Sequence, residues 1–585
     1  PLGTEKDFHA SECGRAIDVG WDAVWSVATG READRWIAEF AVPFSALRYA
    51  PAEEMAWGID FRRIERPHSE FSSWANEEGH PLDASQFGVL TGLSGIEAPV
   101  GLELKPFAMG KLDSSELYDY PLEPAGSNWD VHPDAGLDVE YAPFPAVTLN
   151  LTLNPDFAQI EADPNQINLS GDELWLQERR PFFSENADVF HLPLNLLYTR
   201  RMEDILYGGK LTGKLGGANF AALAARSDDL PRDEDGEMLT DDDGEALPVS
   251  TNDYGAVIVR QDLFGNATIG AFASTRERED GHNRTGALMA GLNVTEQLRL
   301  TGLAGRSTDT DPAPDDDAYA LAWNYGGADM DSEGSFTWIG EDFDPETGYV
   351  PVDWRGRLGG EGHAWKMFDI EDAPIDRVET VVWGGRFESL EGDLQEYWYG
   401  GEASVRFPNG VILGLESTRG YDARDYPDHP DKLFGKIYAV TSSTVWAGYI
   451  GSLEIADFHG SDLLSAMLGG RLQPIEPLTI EFSTSGVFLR EHEDLDWLIE
   501  DVRANYRFSS DMFLRGIARG MYLREATAEG EDRWHRYDLD LLYGWEFLPG
   551  SMFYLAYNQA LEREGGEAEL LDPVIVLKAS YLMRF

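Results

Sequence analysis

A chain of 585 residues is longer than one ordinary soluble core fills, which leaves several domains or one very large closed sheet. Its 105 acidic and 46 basic residues give a net charge of -59, which repels phosphate backbones and excludes nucleic acid as a partner. No apolar run approaches the roughly 18 residues of a membrane-spanning helix, whereas 60 Gly and 12% aromatic residues suit strands, tight turns and aromatic girdles.

The acidic excess runs along the whole chain and has three readings. A halophilic source, whose surface carboxylates hold water, comes first, followed by cation binding in acidic loops and by a cation-attracting pore. Cys13 is the single cysteine, so no intrachain disulfide framework exists. The first residues, Pro1-Leu2-Gly3, lack Met and any charged-then-apolar leader, and an export signal and part of the first domain are expected upstream.

Residues 1–97 read as a small β-domain of short strands. The first run is Trp21 to Trp25, the second Trp36 to Phe44 with Trp36, Ala38 and Phe40 on one face, and the third Trp57 to Arg63. From residue 101 the texture changes to blocks of about ten to fourteen residues with period-2 alternation, separated by Gly, Pro, Asn and Asp. Val147 to Asn154 is the cleanest, with Val and Leu on one side and Thr and Asn on the other. Leu478 to Ser483 and Tyr537 to Trp545 repeat it. About 24 such blocks are more than a sandwich needs, and closing the sheet removes the edges so wide a sheet would expose.

Two connecting stretches are strongly acidic: Asp228 to Glu245, and Asp309 to Asp317. Solvated extracellular loops are the first reading; the second is a calcium site on Asp233, Asp235, Asp241 and Asp243, although no complete EF-hand pattern is present. Between Asn154 and about Leu196 the alternation stops, and the stretch is too long and too apolar for a solvated hairpin loop. It is expected to fold inward as a plug over 155–195. There Asp156, Glu161, Asp163, Glu178 and Glu185 would pair with Arg179, Arg180, Arg200 and Arg201, since charge inside a barrel needs partners or water. Holding the plug to the wall is the plainer role for these pairs, and contact with a substrate the sharper one.

The final strand puts Leu577, Ala579, Tyr581, Met583 and Phe585 on one face, with Lys578, Ser580 and Arg584 opposite. Such an ending, on Tyr581, Met583 and Phe585, resembles the signal that outer-membrane barrels present to their assembly machinery. The expected fold is therefore all-β: a large closed antiparallel transmembrane barrel over 101–585, lying in a bacterial outer membrane and preceded at 1–97 by part of a β-sandwich.

Several motifs carry a family resemblance. They are Asn154-Pro155-Asp156-Phe157, Glu161-Ala162-Asp163-Pro164, Gln166-Ile167-Asn168-Leu169, Glu178-Arg179-Arg180-Pro181-Phe182-Phe183, Tyr198-Thr199-Arg200-Arg201 and Gly208-Gly209-Lys210-Leu211-Thr212-Gly213-Lys214. Together they resemble the domain-of-unknown-function 5916 family, in which a domain similar to carbohydrate-binding module family 9 precedes an outer-membrane barrel. Trp21 to Trp25, Glu39 to Tyr49 and Phe61-Arg62-Arg63 resemble the end of that module, whose first half this chain lacks. The resemblance covers residues 1 to about 215, and beyond that only barrel texture continues it.

The resemblance implies carbohydrate binding, with Trp21 and Trp25 the nearest aromatics for a sugar clamp and calcium the one implied ion. Buried core tryptophan is the plainer reading of both. Binding and uptake of a glycan or another ligand at the surface is the leading functional expectation, with outer-membrane lipid, the assembly machinery and a glycan or protein as partners. An envelope scaffold is the alternative. A glycoside hydrolase ranks lower: it needs two carboxylates across a sugar cleft, and among 105 acidic residues no pair stands out. No Gly-x-Ser-x-Gly elbow, His-Glu-x-x-His helix or phosphate loop is present.

Overall fold

The computed structural model describes residues 101–119, 123–144, 146–155, 175–178, 180–229, 250–279, 281–295, 297–310, 315–327, 329–370, 373–423, 431–441, 447–458, 460–490, 494–527, 530–564, 567–571 and 573–585. Before residue 101 it describes 9–11, 16–18, 25–44, 47, 49, 52–65, 70–75 and 86–96.

From Gly101 onward each strand pairs antiparallel with the next in sequence, and the ladder closes on itself. Twenty-three strands run from Gly101–Asp119 to Ser551–Glu564, and a twenty-fourth comes in three pieces, Glu567–Leu570, Val574–Ser580 and Met583–Arg584. Closure joins last strand to first, with Leu577 opposite Gly110, Ala579 opposite Ala108 and Met583 opposite Leu104. The last strand is thus broken at Tyr581-Leu582 rather than continuous, while Leu577, Tyr581 and Phe585 all face outward and are exposed.

Alternation explains why the sheet can have two solvents. In Val147–Leu153, Leu151 and Leu153 are exposed on the outer face, while Thr148, Asn150 and Thr152 are buried on the inner one. The same outer row continues round the barrel through Val257, Leu288, Leu321, Val382, Leu415 and Ile437, the last 62% exposed. Charges such as Glu379, Glu396, Lys432 and Arg519 fall on the opposite face. Exposed outer aliphatics with polar groups inside are what hydrocarbon outside and water within select.

Aromatic residues mark both rims of the outer face. Tyr397 stacks on Tyr399 and Tyr421 at one rim, with ring centroids 6.2 and 5.6 Å apart. At the other, Phe547 lies 5.8 Å from Trp545 and 6.4 Å from Tyr581. The second rim carries tight turns, among them Gly216-Gly217, both at positive φ (57° and 80°), as a two-residue hairpin matching strand twist requires. The long connections 154–204 and 340–356 leave from the first rim.

Before the barrel, the described residues form four separate two-stranded sheets, including Ser26–Arg31 with Trp36–Ala41 and Glu54–Ile59 with Gly88–Ser94. The expected single strand Trp57 to Arg63 is two, Glu54–Ile59 and Arg62–Glu65. It breaks at Asp60, whose carboxylate accepts from the Ser73 hydroxyl and from the Ala75 N–H at 2.8 Å.

Candidate functional site in the barrel lumen

Two connections turn back into the barrel and interlock. The first, over 175–204, carries the helical turn Pro181–Ser184 and the 3-10 turns Ala187–Phe190 and Thr199–Arg201; the second, 340–356, carries the 3-10 turn Val352–Trp354. Phe182, Phe183, Leu192, Leu194, Leu196 and Met202 from the first, with Phe343 and Val350 from the second, form one buried cluster. Its other half is the inner face of strands 205–339, where Ala221, Ala225, Ala256, Ala287, Ala318 and Ala320 keep the wall shallow enough for the segments to approach. An apolar inner wall on this arc, with an apolar outer wall as well, is the mark of a sheet covered on both faces.

Backbone hydrogen bonds clip the two segments together. The Tyr198 N–H donates to the Thr347 carbonyl and the Tyr349 N–H to that of Asn195, both at 2.7 Å. The Thr347 hydroxyl adds a bond to the Leu196 carbonyl at 3.2 Å and meets that of Ser274 on the wall at 2.7 Å. Trp175 stacks on Tyr198 with centroids 4.5 Å apart, and both pack edge-on against Tyr349.

Arg180 is the polar centre of the first segment and is 7% exposed. Its Nε and Nη2 donate to the two Glu178 carboxylate oxygens at 2.8 and 2.6 Å, Nη1 donates to the Met202 carbonyl at 2.6 Å, and Nη2 also to the Thr199 carbonyl at 2.6 Å. Its guanidinium also lies 4.3 Å from the Phe183 ring centre. Burial pushes the Glu178 carboxyl up, but the Arg180 hydrogen bonds and charge, with the Thr199 hydroxyl, outweigh it and hold the group below its ordinary value.

A second anchor is Lys210, 2% exposed on the wall, whose Nζ donates to the carbonyls of Phe182, at 2.5 Å, and Glu185. Asn150 bridges two carboxylates, its Nδ2 donating to Glu185 at 3.1 Å and Glu140 at 3.2 Å. The second segment is held to the wall by Glu346, which accepts from Arg278 at 2.8 Å, and by Asp344, whose N–H donates to the Ser307 hydroxyl at 2.9 Å and whose carbonyl accepts from the Asn283 amide at 2.8 Å.

The structure brings only some of the expected site residues together. Glu178 and Arg180 meet each other; Glu185 meets Asn150 and Glu140 near Lys210 instead of an arginine, because Pro181–Ser184 turns its side chain toward the wall. Arg200 and Arg201 sit on the turn Thr199–Arg201, and the Arg201 carbonyl accepts from the Tyr254 hydroxyl at 3.4 Å. Trp25 is half-buried and stacks on Phe40 at 6.0 Å. Trp21, Asp156, Glu161, Asp163, Arg179, Asp233, Asp235, Asp241 and Asp243 lie outside the described residues. Among the described residues no group of three or more His, Cys, Asp or Glu is arranged to hold a metal ion.

Sequence reasoning placed Lys210 only within the motif Gly208 to Lys214, with no role at the site, and did not mark out Asn150 or the segment 340–356. The signal available for the last was Asp342-Phe343-Asp344-Pro345, an apolar residue inside a Pro-containing break in the alternation.

Burial, with the nearby Glu140 charge, pushes the Glu185 carboxyl up to about 7 from 4.5, partly offset by Lys210 and Lys105, while Asp138 adds to the rise. Docked, Glu185 therefore holds its proton over a window where the undocked segment has lost it. Docking is strongest below 4.5 and weakens as pH rises through about 7. Protease cleavage of the segment is expected to increase over that window, and Glu185→Gln should flatten the profile; an unchanged profile in that variant would remove Glu185 from the account.

A closed antiparallel barrel, apolar outside, polar and partly filled inside, defines the class: a transmembrane β-barrel. Residues 98–209 match the family model described as domain of unknown function (DUF5916), a span ending in the first strand after the inward segment. No curated protein matches the chain. Among solved structures, Pseudomonas aeruginosa OccK8 (OprE) is 9% identical, with 83% of this chain and 98% of that one covered at a TM-score of 0.29. Acinetobacter baumannii OccAB2 is 11% identical, over 83% and 98%, at 0.26. The copper transporter OprC is 9% identical, over 86% and 83%, at 0.41. Superposition this loose says nothing about cargo, and the functional reading rests on the barrel's own strand pairing and lumen.

Proposed function

We propose that the chain is a bacterial outer-membrane barrel that takes up a ligand, a carbohydrate being the class considered first, through a lumen gated by the inward segments. The observation that carries this reading is the one-sided packing: the segments dock on strands 205–339, while the strands beyond residue 357 turn charged and aromatic side chains to the same lumen. A barrel of this strand number encloses an aqueous channel unless something fills it. Its inner loops are then the element whose movement decides passage. The last strand, with Tyr581, Met583 and Phe585, is the segment we assign to recognition by the assembly machinery.

Detergent-extracted protein should migrate faster on a gel unboiled than boiled, where it would run according to its full 65.1 kDa mass. Reconstituted in a planar bilayer, it should carry low, flickering current. Full solubility without detergent, or a mobility indifferent to boiling, would overturn the membrane-barrel reading.

A further inference from the structure

Beside the docked segments, three tryptophans descend the inner wall in consecutive strands: Trp398 in Leu394–Arg406, Trp383 in Arg377–Ser389 and Trp365 in Arg357–Asp369. The register sets their order. Trp398 stands opposite Gly385, two residues beyond Trp383; Trp383 stands opposite His363, two residues before Trp365. Each is therefore the diagonal neighbour of the next, with backbones about 7–8 Å apart.

Glycines fix how the rings lie. A Cβ on Gly385 would sit 2.5 Å from the Trp398 ring, and one on Gly400 would sit 2.8 Å from the Trp383 ring. Both rings thus reach over bare backbone where a side chain would block them, and all three tryptophans remain half-buried, with surface left to the lumen. At the upper end, Phe387 stacks on Trp398 at 5.7 Å, and Arg357 bridges from Phe387 to Trp354 of the inward segment. The row therefore begins under the gate.

Groups that bind hydroxyls flank the row. Glu361 stands opposite Gly385 and His363 opposite Trp383, both exposed, and Glu402 lies two residues beyond Gly400. Aromatic rings at regular diagonal steps fit the C–H faces of successive pyranose rings, and carboxylate and imidazole groups beside them fit equatorial hydroxyls. A short charged solute would use the ionic groups and leave the row idle, whereas an elongated, uncharged, hydroxyl-rich chain uses both.

We infer that Trp398, Trp383 and Trp365 form a lumenal binding lane for a neutral oligosaccharide. This rests on the uptake reading above and names its substrate class. The test is titration of the folded, full-length protein in detergent with maltohexaose and cellohexaose by calorimetry, with ion conductance recorded in parallel. Saturable binding of at least one hexaose is expected, weakened roughly tenfold by Trp398→Ala or Trp383→Ala. Trp398→Phe should bind nearly as well as the parent, and the outward-facing Trp545→Ala should bind equally. Heat-modifiable migration checks that each variant is folded.

Failure of both hexaoses to bind, or binding indifferent to Trp398→Ala and Trp383→Ala together, would overturn the lane. A barrel that conducts but shows either result keeps the uptake reading and loses only the lane. One that never conducts, even with its inward segment removed, loses the uptake reading whatever it binds.

Discussion

Replacing residues 156–203 by a short Gly-Asn turn is expected to raise single-channel conductance roughly tenfold and to abolish flickering, since a lumen of this strand number is otherwise an open aqueous pore. The strands themselves tolerate the deletion. Leu153 already pairs with Tyr207, and the Asn154 N–H donates to the Leu206 carbonyl at 2.7 Å, so the two ends are hairpin neighbours and the excised chain spans no gap. Loss of the segment uncovers the inner apolar arc around Leu223, Ile258 and Phe272, but the interstrand ladder does not depend on it. The variant should therefore remain heat-modifiable while its current grows. An unchanged conductance in a folded variant would mean that the segment obstructs nothing.

That deletion can be drawn so sharply because the break at Asn154 is visible in the sequence. Val147 to Leu153 obeys two constraints at once, apolar outward and polar inward, and the pattern ends at Asn154, whose φ of 48° turns the chain out of the strand. Tyr537 to Trp545 is legible for the same reason, lying inside the strand Gly530–Leu548. What stayed hidden depends on distant partners. Asp60 ends a strand through Ser73 and Ala75, which local alternation around Trp57 to Arg63 does not register. Lys210 reads as one more inner strand residue until the Phe182 and Glu185 carbonyls are brought to its ammonium. Likewise, Trp383 and Trp398 become a row only through register, since the hairpin between them hides that each stands opposite a glycine of the neighbouring strand. Glu178 and Arg180 were legible as a charged cluster, but the two carbonyls that complete the Arg180 shell come from the turn near Thr199 and Met202.

Those carbonyls make Arg180→Met the substitution with the largest effect on gate docking. It leaves the Glu178 carboxylate buried without its fork and strips the Thr199 and Met202 carbonyls of a charged donor. Removing one partner of a buried, hydrogen-bonded pair costs about 3–5 kcal/mol, more than replacing both. The cost falls on the segment and not on the barrel, whose ladder makes no use of Arg180, so the expected outcome is undocking without unfolding. Amide exchange and protease cleavage over 175–204 should rise by two or more orders of magnitude, while heat-modifiable migration stays as in the parent. Arg180→Lys should fall between, because an ammonium cannot donate bidentately to Glu178 while also reaching both carbonyls. Adding Glu178→Gln to Arg180→Met should recover part of the protection, since the remaining buried group no longer carries charge. Equal protection in the parent and in Arg180→Met would show that the docking energy lies in the apolar cluster of Phe182, Leu196 and Met202, and that the arginine only sets the conformation of the turn.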